Sequence, residues 1–105
     1  MLQREYRHGI IMINQPLIRL RLTFHGLVQG VGFRWRARQA AQLYGCTGWC
    51  RNDDEGTVTM EIQGTEAQIS QVLKSIEAGK YIWIERMDET PLYPEPGERG
   101  FGMDW

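Results

Sequence analysis

Cysteine is scarce in this chain: Cys46 and Cys50 are the only two in 105 residues. The stretch between them reads as extended. Four strand steps of about 3.3 Å separate their Cα atoms by about 13 Å, whereas a disulfide needs about 7 Å or less. Two thiols without a bridge are expected. Two cysteines with no histidine nearby also make a poor zinc set. Long apolar runs are missing too. None approaches the roughly 20 residues of a membrane span, and Ile10-Ile11-Met12-Ile13 is shorter than the core of about 7 residues in a signal peptide. The expectation is a cytoplasmic protein with no membrane partner. A dominant charge sign is absent: 12 Lys and Arg against 13 Asp and Glu leave a net charge of −1. Nothing global draws the chain to nucleic acid. One domain with one core suits this length.

Glycine, by contrast, is concentrated. Gly26-Leu27-Val28-Gln29-Gly30-Val31-Gly32-Phe33-Arg34 packs three glycines and a closing arginine between a strand-like and a helix-like run. Glycine reaches backbone conformations that a Cβ forbids, so this loop can turn its N–H groups around an anion. A following helix adds its unpaired N–H groups and the positive end of its dipole. Arg34 adds a planar cation that fits phosphate oxygens. The same residues also suit a plain strand-to-helix turn. A nucleoside-triphosphate loop G-x-x-x-x-G-K-[ST] is excluded by spacing and by the missing lysine, and G-x-G-x-x-G is absent.

Residues 1–16 read as an N-terminal extension ending at Pro16, and Met12 is a candidate natural start. Residues 17–105 read as the domain. Ile18, Leu20, Leu22 and Phe24 alternate with Arg19, Arg21 and Thr23, the period of a half-buried strand. Phe33, Ala37, Ala40, Ala41 and Tyr44 recur at helical spacing, leaving Arg36, Arg38 and Gln42 for solvent, and Gly45 suits the C-terminal cap. Residues 46–51 and 57–63 form two strands around an acidic turn at 52–56. Val58, Met60 and Ile62 face one side; Thr57, Thr59 and Glu61 face outward. Thr65-Glu66-Ala67-Gln68 is a capping box. Ile69, Val72, Leu73 and Ile76 form a second helical stripe, closed by Gly79. Residues 81–87 make a fourth strand, 91–100 a loop, and 101–105 a short closing strand. The order β-α-β-β-α-β plus an extra strand predicts an α+β, ferredoxin-like sandwich, with two helices on one face of an antiparallel sheet.

Few residues outside the glycine loop suit catalysis. Cys46 and Cys50 lie too close to Arg51, on a strand, to form a thiolate phosphate loop. Asp53, Asp54 and Glu55 lack calcium-loop spacing and suit turn chemistry. His25 adjoins the glycine loop and can feel a bound anion. Four tryptophans can stack bases, but no RNP-like run accompanies them. No metal site and no cofactor is expected.

Val28-Gln29-Gly30-Val31-Gly32-Phe33-Arg34 closely resembles the first signature of the acylphosphatase family. Residues 45–56, G-C-T-G-W-C-R-N-D-D-E-G, are similar to its second. The resemblance spans about residues 18–87 and on to Trp105. It departs from the family pattern at Glu55, at Cys50, in the approach Lys80-Tyr81-Ile82-Trp83 and in the length of the N-terminus. The resemblance implies hydrolysis of an acyl phosphate to a carboxylate and inorganic phosphate, without metal or covalent nucleophile. It implies backbone phosphate binding by Val28, Gln29, Gly30, Val31, Gly32 and Phe33. Arg34 would bind the phosphoryl group and Asn52 would position the attacking water. The implied partners are a small acyl phosphate and inorganic phosphate as product and competitive inhibitor, acting on a monomer. A module that binds such phosphates without turnover is the alternative.

Overall fold

The alternation that begins at Ile18 becomes strand β1 (Ile18–Leu27) in the computed structural model, which describes residues 15–104. The proposed extension and candidate start lie almost wholly outside the described residues. The order continues as α1 (Phe33–Tyr44), β2 (Thr47–Asn52), β3 (Val58–Gly64), α2 (Glu66–Glu77), β4 (Trp83–Leu92) and β5 (Phe101–Asp104). The strands form one sheet in the order β4-β1-β3-β2-β5. With both helices packed on its apolar face, this is the expected ferredoxin-like α+β arrangement.

That face carries Leu22, Phe24, Val58, Met60 and Ile62, all buried against Ala37, Ala41, Val72 and Ile76 of the helices. Gly45 caps α1 in the left-handed conformation, as its position suggested. Thr65 and Gln68 cap α2 reciprocally, with Gln68 N–H donating to Thr65 Oγ1 and Thr65 N–H donating to Gln68 Oε1. Ala78, not Gly79, is the C-cap of α2. Arg36 is not simply solvated either: its Nε donates to the Ser75 carbonyl at 2.6 Å and ties α1 to α2.

The sheet departs from the expectation in three respects. First, it is not antiparallel throughout, because β5 pairs with β2 in parallel. The chain leaves β4 at one edge and returns at the opposite edge from the same end of the sheet, so β5 must run alongside β2. Second, β1 and β4 are longer than periodicity suggested. A bulge between His25 and Gly26 lets β1 continue to Leu27, and β4 reaches Leu92 through Pro91. Pro91 is tolerated because β4 is an edge strand. Third, the outward residues Thr59, Glu61 and Gln63 are buried rather than open to water. Thr59 donates to Asp53, whereas Glu61 and Gln63 are covered by Arg19 and the connection from β4 to β5. Arg19, only 2% exposed, sits beneath it between Glu61 and Glu98, with contacts of 2.9 and 2.8 Å. Thr47 Oγ1 also donates to Glu98, and the Glu95 N–H donates to Gln63 Oε1.

Candidate active site

Register places the two signatures at one end of the sheet. Phe24 and Asn52 both pair with Val58, on either side of the central strand β3. β1 therefore delivers the glycine loop, and β2 delivers Asn52, to the same end. Gly30 and Gly32 adopt φ of 73° and 82°. A Cβ at either would meet nothing within 4 Å, so the demand there is conformational rather than steric. Gly32 is also the N-cap of α1 and offers no side-chain cap to its first N–H groups. Those donors are left without a side-chain cap at the end of the glycine loop, an arrangement that favours an anion.

Phe33 fixes the start of the helix. Its ring lies 4.8 Å from that of Phe24, tilted by 59°, and the side chain is buried. Arg34 follows this anchor directly. Arg34 and Asn52, from α1 and β2, line one cleft of about 300 Å³ with Gly30 and Gly32. Val28, Phe33, Trp35 and Met103 complete its wall. Val31 and Gln29 do not line it.

Gln29 has a different place, which sequence reasoning missed. Its Nε2 donates to the carbonyls of Asp53 and Thr57, at 2.7 and 2.9 Å. The glycine loop is thereby fastened to the β2–β3 turn that follows Asn52. An amide amid small and apolar residues was the available signal, but its partners are 24 and 28 residues away. The acidic turn explains itself similarly. Asp53 accepts hydrogen bonds from Thr57, Thr59 and Arg51. Burial pushes the Asp53 carboxyl up, but these bonds outweigh it and hold the carboxyl below its ordinary value. Among the described residues, no three His, Cys, Asp or Glu side chains are grouped to hold a metal ion.

The remaining candidates lie elsewhere. His25 Nε2 is 2.9 Å from Asp88 Oδ2 on β4, away from the cleft lining. Cys46 and Cys50 are both buried, and burial pushes the Cys46 thiol up to about 11. Trp49 lies under the Arg51 guanidinium, 5.2 Å from its ring centre. No helix among the described residues is long and apolar enough to cross a membrane.

A sequence profile of the acylphosphatase family matches residues 20–103. The acylphosphatase of Geobacillus kaustophilus strain HTA426 is 39% identical over 84 residues, which are 79% of this chain and 89% of the relative. That of Lactobacillus johnsonii is 43% identical over 84 residues, 80% of this chain and 89% of the relative. The crystal structure of acylphosphatase from Bacillus subtilis superimposes with a TM-score of 0.76 at 25% identity, covering 84% of this chain and 99% of that one. With both signatures meeting at one cleft and relatives matched over nearly their whole length, the chain belongs to the acylphosphatase family.

Proposed function

We propose that this chain hydrolyses acyl phosphates in the cleft between the glycine loop and Asn52. The observation that carries the reading is the convergence of Arg34 and Asn52, from two separate elements, on the cleft that Gly30 and Gly32 line.

In this reading the phosphoryl group lies in the loop, held by backbone N–H groups of Val28, Gln29, Gly30, Val31, Gly32 and Phe33. The guanidinium of Arg34 balances charge on the equatorial oxygens. Phosphoryl transfer asks the protein mainly for positioning and charge stabilisation, which these groups supply. Asn52 is not a base, but its amide can accept a hydrogen bond from water and direct the water's lone pair. The water oxygen forms a bond to phosphorus as the P–O bond to the acyl group breaks. The electron pair leaves on a carboxylate, and the water's proton passes to phosphate or solvent. Carboxylic acids ionise near pH 4, so the leaving group needs no proton from the enzyme. The residues fit this chemistry without a metal ion, cofactor or covalent nucleophile. Every group used comes from one chain, so a monomer suffices.

Benzoyl phosphate hydrolysis tests the reading. Turnover is expected to survive EDTA, with inorganic phosphate as a competitive inhibitor. Arg34→Ala should lower kcat/KM by about 10³-fold or more. Asn52→Ala should lower kcat by about 10²-fold while leaving phosphate inhibition largely intact. Full turnover in Asn52→Ala would remove the water-positioning role. Phosphate binding without hydrolysis by the unaltered chain would make it a binding module.

A further inference from the structure

The proposed reaction uses only part of the cleft. Gly30, Gly32 and Arg34 account for the phosphoryl group and Asn52 for the water, leaving the apolar lining of Val28, Phe33, Trp35 and Met103. Trp35 does little for the fold. The core-facing residues of α1 are Phe33, Ala37, Ala40 and Ala41, and Trp35 is 61% exposed. A flat indole left in water beside a cleft is available to a ligand. Met103 has a different address. It stands on β5, opposite Cys50 of β2, two residues before Asn52. An in-line displacement needs the attacking water and the leaving group on opposite sides of phosphorus. With Asn52 holding the water, the acyl group must leave away from β2, and Trp35 of α1 is the exposed apolar side chain of the cleft lining that it can meet there.

We infer that Trp35 is a specificity-determining residue, and that the acyl group taken by this site is apolar and flat or extended. An aromatic acyl phosphate fits this description; acetyl and carbamoyl phosphate are too small to cover the ring. The inference rests on the reading of the cleft as an acyl phosphate site. Contact with the indole adds binding energy remote from the reacting atoms, which raises kcat/KM for substrates that reach it.

The test compares kcat/KM for benzoyl phosphate and acetyl phosphate. The unaltered protein is expected to favour benzoyl phosphate. In Trp35→Ala the benzoyl-to-acetyl ratio should fall about 2- to 10-fold, the range of one aromatic contact. Trp35→Phe should restore most of that ratio, and inhibition by inorganic phosphate should not move. Met103→Ala should alter both substrates alike, because it lies beside the strand that carries Asn52. A ratio that Trp35→Ala leaves unchanged overturns the inference, as does an unaltered protein with no preference. If the unaltered protein hydrolyses neither substrate, the reading of the cleft falls first and the role of Trp35 with it.

Discussion

Gln29 shows how a residue outside the cleft can govern it. Its amide holds the glycine loop to the carbonyls of Asp53 and Thr57, so it sets the spacing between the proposed phosphate donors and Asn52. Gln29→Ala removes both bonds and should cost about 1–2 kcal/mol of stability. The loss of register should also lower kcat/KM by about 10-fold, since small displacements of reacting groups are expensive. Urea unfolding and steady-state kinetics check the two effects, and a variant with wild-type kcat/KM would show that the loop keeps its place unaided. Arg34, Gly30 and Gly32 were legible because residue type alone carries their meaning: a fixed cation and two positions of positive φ. The role of Gln29 was not, because it is defined by two carbonyls on a distant turn. Backbone carbonyls have no sequence signature.

At the scale of elements, the same contrast separates caps from straps. The capping box of α2 lies within four consecutive residues and could be read directly. The strap between β4 and β5 joins Glu98 to Arg19, 79 positions apart, and proline and glycine content marked it only as a loop. Its ion pairs are shielded, which gives them a pH signature. Burial pushes the Glu98 carboxyl up, but hydrogen bonds from Arg19 and Thr47 outweigh it and hold the carboxyl below its ordinary value of 4.5. Glu61 is held down likewise, burial being outweighed by Arg21 and Arg19. A carboxyl depressed in the folded state binds fewer protons there than in the unfolded chain. Its contribution is complete above the unfolded value and is lost as pH falls through the folded one. The unfolding free energy should therefore decline as pH drops below about 4.5. Glu98→Gln should be less stable near neutrality and lose less on acidification. Denaturant titrations at pH 6 and pH 3 give the comparison, and equal acid losses would exclude Glu98 from the effect.

For the molecule as a whole, fold class followed from the order of periodic segments, since two strand-helix units joined by a hairpin have few ways to bury their apolar faces. The parallel edge strand was beyond reach, because four residues of β5 carry no directional pattern of their own. The sheet also depends on contacts that only its assembled form reveals. Gly48 has φ of 138°, and a Cβ there would overlap the Glu61 carbonyl oxygen of the neighbouring strand. Since that backbone is part of the β2–β3 ladder, it cannot yield locally. Gly48→Ala should destabilise the protein by several kcal/mol, at the severe end for a single substitution. A midpoint in urea close to that of the parent would contradict this account.

The two buried thiols turn this architecture into a clock. Cys46 and Cys50 are 3% and 0% exposed, in a core shared by sheet and helices. A maleimide or iodoacetamide molecule must wait for that core to part. Its rate of capture at low reagent then follows the population of open molecules, and at high reagent the rate of opening itself. Native protein should resist labelling for far longer than protein in urea, as mass spectrometry would record. Each residue labelled would time the breathing of the scaffold on which the cleft is built, without any probe having been engineered into it.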